Sequence, residues 1–266
     1  MLAVVPGSLP FDVVGTGFSF ELVDADAYDA LRPDYAPEAV AWVGARGSLG
    51  KGSLVVDLAA GTGQLSKRFT LLGVKLVAVE PAGNMRLVIE ERLPSVRVLD
   101  GSAEAIPLVD GSADAVVVGN AFHHFNVEHA FEEIRRVLRP GGALALFWAW
   151  PAAAEYPGDP EVEDAVKGVP RATAIVTVYQ SWAQPPPPVQ GFTAFERREF
   201  PTMHVIPSSR LADLYATSSH VASLPSEVRT DLLVRIREIS RGLPEVLELP
   251  ARSVVDLCYR GSGPRA

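Results

Sequence analysis

The sequence predicts an α/β fold built on an open, mostly parallel sheet with helices on both faces. Three observations carry this. First, SLVVDLA (53–59), KLVAVEP (75–81), ADAVVVGNA (113–121) and ALALFWAW (143–150) are almost wholly apolar, as strands are when a parallel sheet is buried on both faces. Second, helical stretches alternate with them: GQLSKRFTLLG (63–73), NMRLVIEERLP (84–94) and EHAFEEIRRVLRPGG (128–142), the rhythm of βα units. Third, a glycine-bearing turn, AAGTG (59–63), joins the first strand to its helix.

Taken in order, residues 1–23 form an extended lead. Its opening, MLAVVPGSLPF, has no basic start and is broken by Pro6 and Pro10, which argues against a signal peptide. No apolar run reaches membrane-spanning length, so a soluble cytoplasmic protein is expected. A short helix over 25–31, a turn at Pro33 and a helix over 37–45 follow, with Pro37 in the first turn where its missing donor costs nothing. Strands are expected over 54–59, 74–79, 96–101, 113–119 and 143–149. Helices are expected within 155–183, then a Pro-rich connector, QPPPPVQG (184–191), and a strand over 194–205. SSRLADLYATSSHVA (208–222) and PSEVRTDLLVRIREISRG (225–242) read as helices. Ser226 is the expected N-cap of the second, with Glu227 in its first turn. A last strand covers 248–259. The expected division is a lid and lead segment over 1–46 and a single domain over 47–266, with a cofactor-binding half (53–150) and a substrate-shaping half (151–266).

Composition narrows the function. The net charge of -8 gives no encouragement to nucleic-acid binding, and Arg197 with Arg198 is too small a basic patch for it. Arg135, Arg136 and Arg139 read as the solvated face of one helix. The single cysteine, Cys258, rules out an intrachain disulfide and reads as a buried strand residue. It limits a zinc site to one thiolate, and only His123 and His124 are close among the five histidines, so no metal is expected. His204 and His220 stand alone.

Three nucleotide readings compete for the turn. A dinucleotide fingerprint needs G-x-G-x-x-G, but after Gly61 and Gly63 the third position is Ser66, and Asp57 precedes the turn. The P-loop pattern G-x-x-x-x-G-K-[ST] has only ARGSLGKGS (45–53) to offer, with Ala45 for the first glycine and Gly52 after the lysine. The third pattern fits: Asp57 ends a strand as D-x-x-x-G-x-G, and Glu80 ends the next, 17 residues beyond Gly63. There an acid can accept both ribose hydroxyls. A methionine-derived cofactor, with an ammonium and a sulfonium in place of a pyrophosphate, suits such an acidic wall.

VVDLAAGTG (55–63), VAVEPAGNM (77–85), DGSAEAIPLVDGSADAVVVGNAFHHF (100–125) and EIRRVLRPGGALALF (133–147) resemble, in order and spacing, the class I S-adenosylmethionine-dependent methyltransferases of the type 11 small-molecule group. AYDALRPDYAPE (27–38) is similar to the Y-x-x-x-R-P-x-Y-P segment of the trans-aconitate-methyltransferase-like branch. The resemblance spans about residues 26–150. It implies a Rossmann-like class I methyltransferase fold with a seven-stranded sheet and an antiparallel C-terminal strand. S-adenosyl-L-methionine is then the cofactor. Asp57, Ala59, Ala60, Gly61 and Gly63 would hold its amino-acid end, and Glu80 its ribose. Pro81 and Met85 would line the adenine, whose edge meets Ser102, Ala103 and Glu104. Asn120 and Ala121 would lie near the sulfonium, under a lid bearing Tyr28. Ala59 is expected to keep φ negative, whereas Gly61 and Gly63 allow close backbone approach.

The candidate catalytic residues are His123, His124 and Arg32. His123 matches the family histidine and His124 replaces an aromatic; either could accept a proton or orient the acceptor. Arg32 could bind an acceptor carboxylate or anchor the lid to Asp29 or Asp34. Phe122, Phe125, Trp148 and Trp150 read as pocket or core walls. The expected activity is direct displacement of a methyl group onto oxygen, carboxylate or hydroxyl, of a small-molecule acceptor. The alternatives are an NAD-dependent oxidoreductase and a cofactor-binding protein without turnover. No nucleic-acid or membrane partner is expected, and the protein would be a monomer or homodimer.

Overall fold

Pleat alternation divides each apolar strand between two cores. The computed structural model describes residues 23–151, 156–170, 172 and 184–261. Its strands are β1 (Leu54–Leu58), β2 (Lys75–Val79), β3 (Arg97–Leu99), β4 (Ala113–Gly119), β5 (Leu138–Pro151), β6 (Glu196–Pro207) and β7 (Val246–Tyr259). Because successive side chains point to opposite faces, Val56, Leu58, Val77, Val79, Val116, Val118, Leu144 and Leu146 join one core. Val55, Leu76, Ala78, Ala115, Val117, Ala143, Ala145 and Phe147 join the other.

The helices cover both faces. α5 (Val127–Val137) places Ala130, Phe131 and Ile134 on the first core. α2 (Pro37–Arg46), α3 (Gln64–Thr70) and α4 (Gly83–Arg92) place Val40, Phe69 and Ile89 on the second. α2 starts at Pro37, and Asn126 caps α5 by accepting from the His129 amide at 3.3 Å.

The sheet order is β3-β2-β1-β4-β5-β7-β6. β1 to β5 run parallel, whereas β7 is antiparallel to both β5 and β6. The chain moves outward from β1 through β2 to β3, then returns to place β4 on β1's other side. A crevice opens where that order reverses, at the carboxyl ends of β1 and β4, the general ligand site of such sheets.

The predicted sheet, its seven strands and its antiparallel end are all present. Some boundaries differ. α5 stops at Val137 and β5 begins at Leu138, so the RPGG stretch lies in the strand, beside a bulge between Ala113 and Ala115. Ala113 pairs with Leu138 and Ala115 with Ala143, so β5 carries three more residues than β4 across this interval, and Gly141 within them takes φ +78°. Arg136 is also more than a solvated charge: it bonds Glu133, Asp110 and the carbonyls of Ile106 and Leu108. Cys258 is fully buried in β7.

Beyond the sheet, α1 (Ala25–Leu31), α6 (Asp159–Val166), α7 (Leu211–Ala216), α8 (Ser219–Ala222) and α9 (Ser226–Ser240) form a third core. Leu31, Tyr156, Val162, Leu214, Tyr215 and Ile236 meet there. Ser226 is not the N-cap of α9; Pro225 precedes the helix and no side chain caps it. The lead over 1–22 and residues 173–183 of the expected helical stretch lie outside the described residues. Among the described residues no helix is long and apolar enough to cross a membrane.

Candidate active site

A cavity of about 460 Å³ occupies the crevice. Fourteen of the seventeen residues singled out from the sequence line it: Tyr28, Asp57, Ala59, Ala60, Gly61, Glu80, Pro81, Met85, Ser102, Ala103, Glu104, Asn120, Ala121 and His124.

Asp57 is the penultimate residue of β1, at 1 % exposure. Its Oδ2 accepts a hydrogen bond from Ser66 Oγ at 2.7 Å, while its Oδ1 is buried with no partner. An orphaned buried carboxylate oxygen is costly. Burial raises this carboxyl to about 7; Ser66 opposes the rise and nearby Glu80 adds to it. A cationic group entering the cavity would satisfy the orphan and favour ionisation.

The turn after β1 is held open by its backbone. Gly61 has φ +57°, and a Cβ there would meet nothing within 4 Å, so its backbone borders free space. Ala59 corrects an expectation: its φ is +54°, not negative. The strand must turn back within two residues of Asp57, and the left-handed geometry that achieves it costs an alanine about 1–2 kcal/mol. Glu80, at 5 % exposure, ties the next strand to this turn. Its Oε2 accepts from the Gly61 amide and its Oε1 from the Ala82 amide, both at 2.9 Å. Both oxygens of a carboxylate are acceptors, the chemistry that a ribose diol would meet. Met85 and Pro81 make the adjoining apolar wall.

At the β4 end, Asn120 takes φ +49° and its Oδ1 accepts from the Ala149 amide at 2.9 Å, fixing the turn that follows. Tyr35 lies over Gly119, where a Cβ would stand 2.5 Å from its hydroxyl. His124 faces the cavity from the turn beyond; burial, then the Arg32 charge, lowers its imidazole to about 4.

α1 borders the cavity through Tyr28 and is fastened through Asp29. Thr62 Oγ1 donates to Asp29 Oδ1 at 2.9 Å, and Gln64 Nε2 to its carbonyl at 2.9 Å. Arg92 pairs with both Asp29 and Asp26. α1 and the turn after β1 are therefore joined directly.

Three singled-out residues stand elsewhere. Gly63 begins α3 at φ +84°, and a Cβ there would stand 3.0 Å from Leu93 and 3.2 Å from Ile89; the close approach it permits is to α4, not to the cavity. His123 is buried behind His124, with ring centroids 3.9 Å apart and Trp148 at 5.9 Å. Burial holds it well below the ordinary histidine range. Arg32 pairs with neither Asp29 nor Asp34, which go to Arg92 and Arg68. Instead its Nη2 donates to the Thr217 carbonyl at 2.7 Å and its guanidinium stacks on Tyr28 at 5.1 Å.

Thr62, Gln64, Leu65, Gly119 and Asn126 also line the cavity and were not singled out; Tyr35 and Phe125, read as lid and wall, complete it. Gly119 had a usable signal, an isolated glycine at the end of an apolar strand, which marks close approach. Phe122 and Trp148 belong to the core, and the Trp150 side chain lies outside the described residues.

Residues 56–146, which hold most of these groups, match the family model described as a methyltransferase domain. The chain is 35 % identical over 247 residues to an uncharacterised methyltransferase of Mycobacterium bovis, covering 89 % of this chain and 92 % of that protein. It is 31 % identical over 247 residues to a methyltransferase-like protein of Schizosaccharomyces pombe, covering 89 % and 91 %. The fold is shared with a structure from Anaeromyxobacter dehalogenans described as a candidate type II methyltransferase, at a TM-score of 0.61 and 22 % identity, over 87 % of this chain and 97 % of that one. With its motifs, sheet order and full-length relatives in agreement, the chain belongs to the class I S-adenosylmethionine-dependent methyltransferases of the methyltransferase-domain family.

Proposed function

We propose that this methyltransferase moves a methyl group from S-adenosylmethionine to an oxygen of a small acid or alcohol by direct displacement. The observation that carries the reading is the buried, unpartnered Asp57 Oδ1 in a cavity that Asn120 and His124 also line. Asp57 takes the cofactor's ammonium, Glu80 its ribose hydroxyls, and Ser102 to Glu104 the adenine edge. The cofactor supplies an electrophilic methyl group on a good leaving group. What remains for the chain is alignment and exclusion of water. His124 stays neutral and can accept a hydrogen bond from, or orient, the acceptor. The same acids disfavour the dinucleotide reading, since Asp57 would repel a pyrophosphate and Ser66 is engaged by Asp57.

The Tyr28, Arg32, Pro33 and Tyr35 pattern of the lid supports placement in the trans-aconitate-methyltransferase-like branch. In this reading residues 1–46 cover the site and the 151–266 half shapes the acceptor pocket. The test is incubation with methyl-labelled S-adenosylmethionine and a panel of small acids, alcohols and amines, with products identified by mass spectrometry. O-methyl products are expected; N- or C-methyl products alone would overturn the oxygen assignment.

A further inference from the structure

The chain leaves the sheet at Leu99 and rejoins it at Ala113. Backbone groups between them have no neighbouring strand to bond, and unpaired polar groups are costly against a core. Ala103 and Ile106 are both buried in the first core. α5 supplies the missing partners from two places along its length.

The first is its N-terminus, where the Asn126 amide donates to Glu104 Oε1 at 2.9 Å. The second lies about two turns along, at Glu133 and Arg136. Glu133 Oε2 accepts from the Ile106 amide at 2.8 Å, and Arg136 Nη2 donates to the Ile106 carbonyl at 2.8 Å. Both backbone groups of Ile106 are thus taken by one side-chain pair. Arg136 Nη1 donates to the Leu108 carbonyl and to Asp110 Oδ1, each at 2.7 Å. The Arg136 carbonyl accepts from the Gly111 amide at 2.9 Å.

The pair is built to stay in place. Arg136 Nε and Nη2 grip the two Glu133 oxygens at 2.6 and 2.8 Å, the forked geometry of a guanidinium on a carboxylate. These bonds hold the Glu133 carboxyl below its ordinary value, so it stays ionised at neutral pH. The Arg136 and Glu133 side chains are partly shielded, at 30 % and 21 % exposure. Asp110, 79 % exposed, is the weak member, open to screening by salt.

What this splint holds is a rim of the cavity. Ser102, Ala103 and Glu104 line it just upstream of Ile106, and Asn126 lines it at the start of α5. Neither Glu133 nor Arg136 lines it. Their influence on a bound molecule therefore has to pass through the loop.

We infer that Arg136, with Glu133, is a positioning pair that holds the 102–111 loop in the shape that reads the cofactor's base, and so sets the preference for adenine. The inference rests on the reading in which Ser102 to Glu104 meet the adenine edge. At that edge the 6-amino group of adenine donates, whereas the 6-oxo group of hypoxanthine accepts. A loop held rigid cannot exchange donors for acceptors, so the wrong base leaves polar groups unpaired. A loop released from α5 can rearrange, and the two bases become alike to it.

The test compares S-adenosylhomocysteine with S-inosylhomocysteine, its 6-oxo counterpart, by titration calorimetry on the full chain. Wild type should prefer adenine by roughly a hundredfold or more. Arg136→Ala should cut that ratio by about tenfold or more. Arg136→Lys reaches some of the same acceptors without the fork and should keep part of it. Glu133→Gln retains an acceptor for the Ile106 amide, and its ratio should fall less than that of Arg136→Ala. Hydrogen exchange at the amides of 102–111 should quicken in each variant. If Arg136→Ala does not fold, Arg136→Lys and Glu133→Gln decide.

A purely structural loss would weaken both ligands by the same factor and leave the ratio where it was. That result overturns the inference, as does a lower ratio with unchanged exchange in the loop. A wild type that binds S-adenosylhomocysteine without preferring adenine overturns the adenine-edge reading, and the inference with it. Should S-adenosylhomocysteine not bind the wild type at all, the methyltransferase reading falls and takes both with it.

Discussion

The Gly61 amide donates to Glu80 Oε2 at 2.9 Å across 19 residues of chain. This one bond makes the turn after β1 and the end of β2 a single wall, so the acid that can receive a ribose also sets the shape of the loop beside it.

Glu80→Ala therefore removes both the proposed ribose ligand and a brace. Affinity for S-adenosylmethionine should fall by roughly a hundredfold, as expected when charge-assisted bonds are lost together with the geometry they hold. Glu80→Gln should lose less, because its amide oxygen can still accept one of the two backbone N–H groups. Titration calorimetry of both variants measures the difference; equal losses would mean the brace contributes nothing.

Tyr35 and Gly119 make a second pair that can be tested together. A methyl group at 119 would stand 2.5 Å from the Tyr35 hydroxyl and 3.1 Å from its ring. Gly119→Ala should destabilise by about 1–3 kcal/mol and weaken cofactor binding. Adding Tyr35→Phe removes the closest atom and should recover part of the loss. A double-mutant cycle by denaturant unfolding reads the coupling.

Asp57 makes both stability and binding depend on pH. Its carboxyl ionises near 7 in the folded protein against an ordinary 3.8. Between those values the folded state binds the extra proton, so stability from this group falls as pH rises from about 4 to 7. Asp57→Asn should thus gain stability over wild type at pH 8 relative to pH 5, with a ceiling of about 3 kcal/mol, since only about two pH units of that interval lie below the folded value. Cofactor binding runs the other way. An ammonium prefers the ionised carboxylate, so wild-type affinity should weaken about tenfold per unit below pH 7 and decline again above about 8 as the cofactor's amine loses its proton. Calorimetry across this range checks it; a flat profile excludes Asp57 as the ammonium partner.

Ala59 carries left-handed strain that glycine would not. Ala59→Gly relieves about 1–2 kcal/mol of it and gives back about 0.4–1 kcal/mol in unfolded-chain entropy. A net stabilisation of about 0.5 kcal/mol is expected by chemical denaturation. Ala59→Val, β-branched at the same φ of +54°, should destabilise clearly.

The adjacent histidines should separate. His124→Ala, which alters a cavity wall, should lower kcat by roughly tenfold or more with little change in cofactor affinity. His123→Ala empties a buried position and should instead cost about 1–3 kcal/mol of stability. Steady-state kinetics beside thermal unfolding distinguishes them. Reversed outcomes would restore His123 as the residue that meets the acceptor.

What the sequence determined by itself was everything encoded locally. Buried parallel strands must be apolar on both faces, so β1, β2, β4 and β5 were legible as runs. A cofactor turn must start from a strand end, so Asp57 and Glu80 could be found by spacing. Ala59 escaped because its left-handed φ is imposed by where the chain must go next, not by its own preference. Gly63 looked like a cofactor glycine because spacing cannot say which neighbour demands the close approach; the structure puts Leu93 and Ile89 there. His123 and His124 are adjacent in sequence, and only the direction of the turn after β4 decides which one reaches the cavity. Arg32 and Thr217, joined by a hydrogen bond, lie 185 residues apart and share no motif. Their meeting depends on the third core, which packs α1 against the C-terminal helices, and hydrophobic packing of that kind is set by the whole chain rather than by any stretch of it.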